Sequence, residues 1–120
     1  MNDIYTLPMD TFIAGQTREY VWELFKSDRT PFSTDGCTAY FSVCNYSDRN
    51  SCVLAKSAEI KINLDGNIVT VNIPSGATEN LGGKYIYQLK IEDIDNNVEI
   101  MQGVWIVHET IDCDSHKSGR

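Results

Sequence analysis

A chain of 120 residues, 42% of them hydrophobic, is long enough for one folded domain that buries roughly two-thirds of the surface its unfolded form exposes. With 17 acidic against 10 basic residues the formal charge is -7, and no basic cluster is present to grip nucleic-acid phosphates or an anionic membrane. No apolar run reaches the length of a membrane helix, and the opening Met1-Asn2-Asp3-Ile4-Tyr5 lacks the basic and apolar regions of a secretion signal. The chain is therefore expected in the cytoplasm, or in a particle assembled there.

Residues 6–13 read as a first strand, confined to a sheet edge by Pro8, which has no amide to donate. Gly15-Gln16-Thr17 is a turn. Residues 19–26 alternate, with Tyr20, Trp22 and Leu24 on one face and Glu19 and Glu23 on the other, the period of a half-buried strand. A loop with Pro31 and Asp35-Gly36 leads to a third strand over 37–45, with Ala39, Phe41 and Val43 inward. Residues 46–51 form a polar turn. Residues 53–64 are extended, with Ala58, Ile60, Ile62 and Leu64 on one face. Asp65-Gly66 is a hairpin signal, because both residues tolerate positive φ.

Residues 68–73 make the fifth strand, with Val69, Val71 and Ile73 inward, and Pro74 ends it. Residues 75–80 suit one short helical turn. Two alternating segments, 81–93 and 98–107, then flank the turn-rich linker Ile94-Asp95-Asn96-Asn97 and form a closing hairpin. Leu81-x-Gly83-x-Tyr85 has the spacing of a tyrosine corner, a device of Greek-key sandwiches. The sum is an all-β, immunoglobulin-like Greek-key β-sandwich of about seven strands, a single domain over residues 1–111. The polar residues 112–120 are expected to form a disordered tail.

Candidate chemistry is sparse. The two histidines, His108 and His116, and the spacing of Cys113 to His116 lack a rigid scaffold that would hold a catalytic pair. Asp93, Asp95 and Asn97 imitate the start of a calcium loop. The glycine and glutamate such a loop requires are replaced by Val98 and Val104, and a turn explains the same residues. Gly82-Gly83 lacks the Lys-Ser/Thr ending of a phosphate cradle. Cysteines at 37, 44, 52 and 113 show no zinc spacing. Cys44 and Cys52 flank a hairpin and can face each other, either bridged or as free thiols. No catalytic residue, cofactor or metal is expected, and the chain is read as a non-enzyme.

Alternation also points outward. If Tyr85, Tyr87 and Leu89 face the core, Ile86 faces out; if Trp105 and Val107 face in, Val104 and Ile106 face out. Pairing of the third strand with the last-but-one adds Tyr40. Tyr40, Ile86, Val104 and Ile106 are thus expected to form one exposed apolar patch of the kind that marks protein interfaces, unless Gly103 is a bulge that shifts the register. Exposed Tyr40 and Tyr46 also keep open a sugar-binding platform.

The order of elements resembles the immunoglobulin-like domain of phage baseplate upper proteins, found also in phage tail structural proteins. The likeness runs over residues 14–107. It is carried by Gly15-Gln16-Thr17, Arg29-Thr30-Pro31-Phe32, Asp35-Gly36-Cys37-Thr38-Ala39-Tyr40-Phe41-Ser42-Val43, Val53-Leu54-Ala55-Lys56, Asp65-Gly66-Asn67-Ile68-Val69, Leu81-Gly82-Gly83-Lys84-Tyr85-Ile86-Tyr87-Gln88-Leu89 and Gly103-Val104-Trp105-Ile106-Val107. The resemblance implies a non-enzymatic structural or adaptor protein of a phage or prophage tail or baseplate. Its partners would be other phage structural proteins and a second copy of itself, and its location the virion or the host cytoplasm before assembly. The alternative is a bacterial carbohydrate-binding or adhesion module. An antibody-type domain does not fit, because no cysteine pair sits on the second and sixth strands.

Overall fold

The computed structural model describes residues 3–54 and 59–109. Nine strands and one short helix follow in order: β1 (Asp3–Thr6), β2 (Asp10–Ile13), β3 (Arg18–Glu23), β4 (Thr38–Asn45), β5 (Asp48–Cys52), β6 (Lys61–Asp65), β7 (Ile68–Ile73), α1 (Ser75–Thr78), β8 (Gly83–Glu92) and β9 (Val98–His108). One sheet runs β1-β9-β8-β4-β5, with β2 also on β9; the other runs β3-β7-β6. β1 and β2 lie parallel to β9, and the remaining pairs are antiparallel. Strands that leave one sheet and return in the other give the Greek-key, immunoglobulin-like β-sandwich that the alternation implied.

Two strands beyond the expected seven have physical origins. Of the strand expected over 6–13, the part after Pro8, which offers no amide to the ladder, forms β2, while β1 lies before it and shares only Thr6 with it. The chain bonds to β9 through Leu7 and resumes at Asp10. Residues 46–51, read as a polar turn, hold all but the last residue of the edge strand β5, whose Asp48-Arg49-Asn50 run shows no alternation because these residues stand in solvent. The 53–64 stretch is not one strand. Val53 still bonds β4, whereas β6 belongs to the other sheet. Ala58 and the Ala55-Lys56 pair lie outside the described residues.

The turn between β6 and β7 sits one residue later than expected, on Gly66-Asn67. Asp65 pairs with Ile68, and only Gly66 takes a positive φ, of 61°. A glycine at the first turn position is what a type II′ hairpin demands.

Loops are pinned by buried threonines. Thr78 Oγ1 on α1 donates to Gln16 O at 3.0 Å and accepts from Gly15 N at 3.0 Å, fastening the helical turn to the β2–β3 turn. Thr34 Oγ1 donates to Gly66 O at 2.7 Å, tying the β3–β4 loop to the β6–β7 turn. The tyrosine corner forms as its spacing implied: Tyr85 Oη donates to Gly82 O and accepts from Gly82 N, both at 2.9 Å.

The core is the alternate residues the sequence marked, Val43, Val69, Val71, Ile73, Tyr87, Leu89, Trp105 and Val107 among them. Where antibody domains bridge the sheets with a disulfide, this chain stacks aromatic rings. Tyr20 lies 5.5 Å from Tyr87 with ring planes 7° apart, and Trp105 meets Phe12 edge-on at 4.9 Å. Each such pair adds about 0.5–1.5 kcal/mol beyond its buried area.

Candidate functional site

The outer face of the larger sheet gathers the residues with interface character. On it, β8 presents Ile86 and Gln88, β9 presents Gln102 and Val104, and β4 presents Ser42 and Cys44. The register aligns Cys44 with Ile86 and Val104, and Lys84 with Ile106. The β8–β9 register runs unbroken from Val98 to Val107, so Gly103 is no bulge. Its reason is steric: a Cβ there would come within 2.6 Å of the Tyr87 ring.

The expectation of one exposed patch is corrected in two respects. Ile86 faces outward but is only 8% exposed, and it lines a hollow with Thr6, Leu7, Met9 and Tyr46. Tyr40, 49% exposed, stands apart. It is opposite Lys90, and a polar row of Ser42, Gln88 and Gln102 separates it from Ile86 and Val104. Gln102 Nε2 donates to Gln88 Oε1 at 2.8 Å, closing that row. Val104 and Ile106, both half-buried, are the patch residues that remain together beside Ile86.

Two hollows adjoin Ile86 and share Arg49, Ile86 and Gln102. One, of about 420 Å³, is walled by Leu7, Met9, Tyr46 and Val104. The other is smaller and polar, with Ser42, Cys44, Cys52 and Gln88. Sequence alternation found the strand residues of this face. It missed Met9, Tyr46 and Arg49 as parts of it, since turns and edge connections carry no period.

Both candidate sugar platforms carry a cation. Lys84 Nζ lies 4.0 Å from the Tyr46 ring centre, and Lys90 Nζ lies 5.0 Å from that of Tyr40. Six residues of strand separate the two tyrosines, roughly 20 Å at strand rise, so they do not form one platform.

The strongest polar constellation was not foreseen. The Asp10 carboxylate on β2 receives Arg18 Nε at 3.0 Å, Arg18 Nη2 at 2.6 Å and the Tyr20 hydroxyl; Trp105 Nε1 donates to Tyr20 Oη at 2.8 Å. Arg18 also lies over the Phe12 ring at 4.8 Å. Burial, then the Asp10 bond, pushes Tyr20 well above its ordinary value, so it stays a neutral donor. Burial, then the Asp10 charge, pushes Tyr87 up to about 12, and its hydroxyl donates to Pro8 O at 2.6 Å. Asp10, Arg18, Tyr20 and Trp105 are bonded to one another, and they join β2 and β9 of one sheet to β3 of the other. No signal in sequence joins these residues, which converge only when β2 and β3 fall in different sheets.

Other candidates resolve locally. The Asp93 carboxylate accepts from the amides of Asp95 and Asn97 and from Asn97 Nδ2, organising the β8–β9 turn, and the Asn97 bonds hold its carboxyl below the usual range. His108 ends β9 in solvent. Cys113 and His116 lie outside the described residues. Among the described residues, no group of three or more His, Cys, Asp or Glu side chains is placed to hold a metal.

No protein-family profile matches this chain, and comparison with curated proteins finds no relative. Among solved structures it is similar to the N-terminal Ig1-2 module of the Drosophila receptor protein tyrosine phosphatase DLAR, at TM-score 0.49 and 8% identity over 88% of this chain and 47% of that one. The Ig1 domain of mouse SynCAM 2 gives 0.46 and 9% over 87% and 94%. A nucleoside hydrolase-related hypothetical protein from Saccharophagus degradans gives 0.37 and 23% over 83% and 22%. The chain thus spans about half the length of the first of these.

Proposed function

We propose that this chain is a non-enzymatic structural or adaptor protein of a phage or prophage particle, in the tail or baseplate, acting through protein–protein contacts on the outer face of the larger sheet. The observation that carries the contact surface is the apolar group of Val104 and Ile106 beside Ile86, with Met9 and Tyr46 at the rim of the adjoining hollow. The particle assignment is supported by the sequence resemblance over residues 14–107. A partner would cover Val104 and Ile106 and fill the hollow against Leu7 and Met9. Other particle proteins and a second copy of this chain are both partners of the required kind.

The test is to purify particles from the source culture after prophage induction and search them for this chain by mass spectrometry. Co-purification with tail proteins in fixed ratio is expected, and its loss in a Val104→Lys/Ile106→Asp variant that still folds. Recovery of the wild type solely in the particle-free fraction would sink the particle reading. If that fraction instead yields a protein whose resonances shift with added oligosaccharide, the carbohydrate-binding alternative takes its place.

A further inference from the structure

We propose that Cys44 and Cys52 are a cross-strand thiol pair that closes to a disulfide without rearrangement of the backbone, making the β4–β5 edge a site of oxidative modification. This stands independently of any role in a particle. The two residues are direct antiparallel partners across β4 and β5, beside the register shift that falls between Cys44 and Asn45, and both thiols are free. Disulfide geometry depends on which kind of antiparallel pair they form.

Two backbone bonds decide that. Val53 N donates to Val43 O at 2.9 Å, so the adjoining pair, Val43 with Val53, is the one joined by hydrogen bonds. On the other side of β4, Tyr46 N donates to Lys84 O at 3.2 Å. Backbone groups along a strand alternate in direction, so Cys44, two residues before Tyr46, also turns its amide and carbonyl toward β8. Both bonds agree that Cys44 and Cys52 form a non-hydrogen-bonded pair. In such pairs the Cα atoms sit about 4.5 Å apart with side chains close, inside the range of about 4.4–6.8 Å that disulfides span. Both thiols line one hollow on the outer face, with Ser42, Arg49 and Gln88.

Exposure sets the order of reaction. Cys52 is exposed and Cys44 half-buried. With a low-molecular-weight disulfide such as oxidised glutathione, the Cys52 thiolate attacks one sulfur and releases one small thiolate, leaving a mixed disulfide. The Cys44 thiolate then attacks the Cys52 sulfur and releases the second. Two protein S–H bonds are replaced by one S–S bond, the oxidant's S–S bond is reduced, and the two protons pass to the two small thiols. Burial, then the nearby Cys52, holds the Cys44 thiol above its ordinary value, so closure quickens as pH rises. The new bond ties the edge strand β5 to β4 and fixes Arg49 over the Ile86 hollow.

The experiment uses the folded full chain carrying Cys37→Ser/Cys113→Ser, so that the pair alone remains, incubated with oxidised glutathione. Intact mass, mapping of the linked peptides and amide exchange of β5 are read together. The expected result is loss of two hydrogens, a link between 44 and 52, and β5 amides protected at least as well as before. Adding Cys44→Ser should instead trap one glutathione on Cys52. Stable glutathione adducts on both cysteines with no link would overturn the proposal. So would a link that forms with loss of β5 protection, which would mean that the backbone has to open first.

Discussion

The inner and outer faces of the β8–β9 ladder share one backbone and differ in almost everything else. Inward, Tyr85, Tyr87, Leu89, Trp105 and Val107 are buried against the opposite sheet, and their polar atoms are bonded to Gly82, Pro8 and Tyr20. Outward, apolar Ile86, Val104 and Ile106 share the face with Lys84, Gln88 and Gln102. The inner face is filled from the other sheet. Among the described residues, the outer face is shielded by its own neighbours and by residues of edge connections. A substitution inward therefore breaks folding, whereas one outward should alter association.

Alkali is expected to strike the inner face hardest, because it acts on Tyr20 and Tyr87 together. A tyrosine whose folded value is raised favours folding while protonated. That contribution is complete below the ordinary value of 10.0 and is lost as pH climbs through about 12 for Tyr87. Tyr20 follows the same sign. Tyrosinate absorbance and circular dichroism recorded across that window should move together for these two residues; ionisation of Tyr20 and Tyr87 near 10 with the fold intact would contradict the burial described.

Trp105→Ala should cost about 3–5 kcal/mol in urea denaturation, as for a fully enclosed aromatic. Gly103→Ala should cost about 1–3 kcal/mol through overpacking against the Tyr87 ring, and most of that cost should vanish in a Tyr87→Ala background. Additive losses in the double variant would show that Gly103 serves some other purpose. Tyr85→Phe, which strips both corner bonds from Gly82, should cost about 1–3 kcal/mol. Ile106→Asp on the outer face should change stability by only about 0.5 kcal/mol. If it destabilised the protein as much as Trp105→Ala, the contrast between the faces would fail.

Much of the inner face was legible in the sequence. Period-two alternation placed Val43, Val69, Val71, Ile73, Tyr87, Leu89, Trp105 and Val107 correctly, because a strand packed on one side must alternate. The Leu81-x-Gly83-x-Tyr85 spacing likewise announced a corner that is local in the chain. β5 was not legible, since a polar edge strand has no buried face to imprint a pattern. Ile86 was assigned the right direction and the wrong exposure. Alternation tells which way a side chain points and carries no information about what later folds over it.

The sequence by itself determined a β-sandwich, much of its core and its net negative charge, all of which follow from local periodicity and composition. Tertiary structure alone decided that Asp10, Arg18, Tyr20 and Trp105 meet, that Gly103 exists for Tyr87, and that Cys44 faces Cys52 across a non-hydrogen-bonded pair. Each of these depends on strand register and on which sheet a strand joins. Both are settled by long-range pairing that no local pattern encodes.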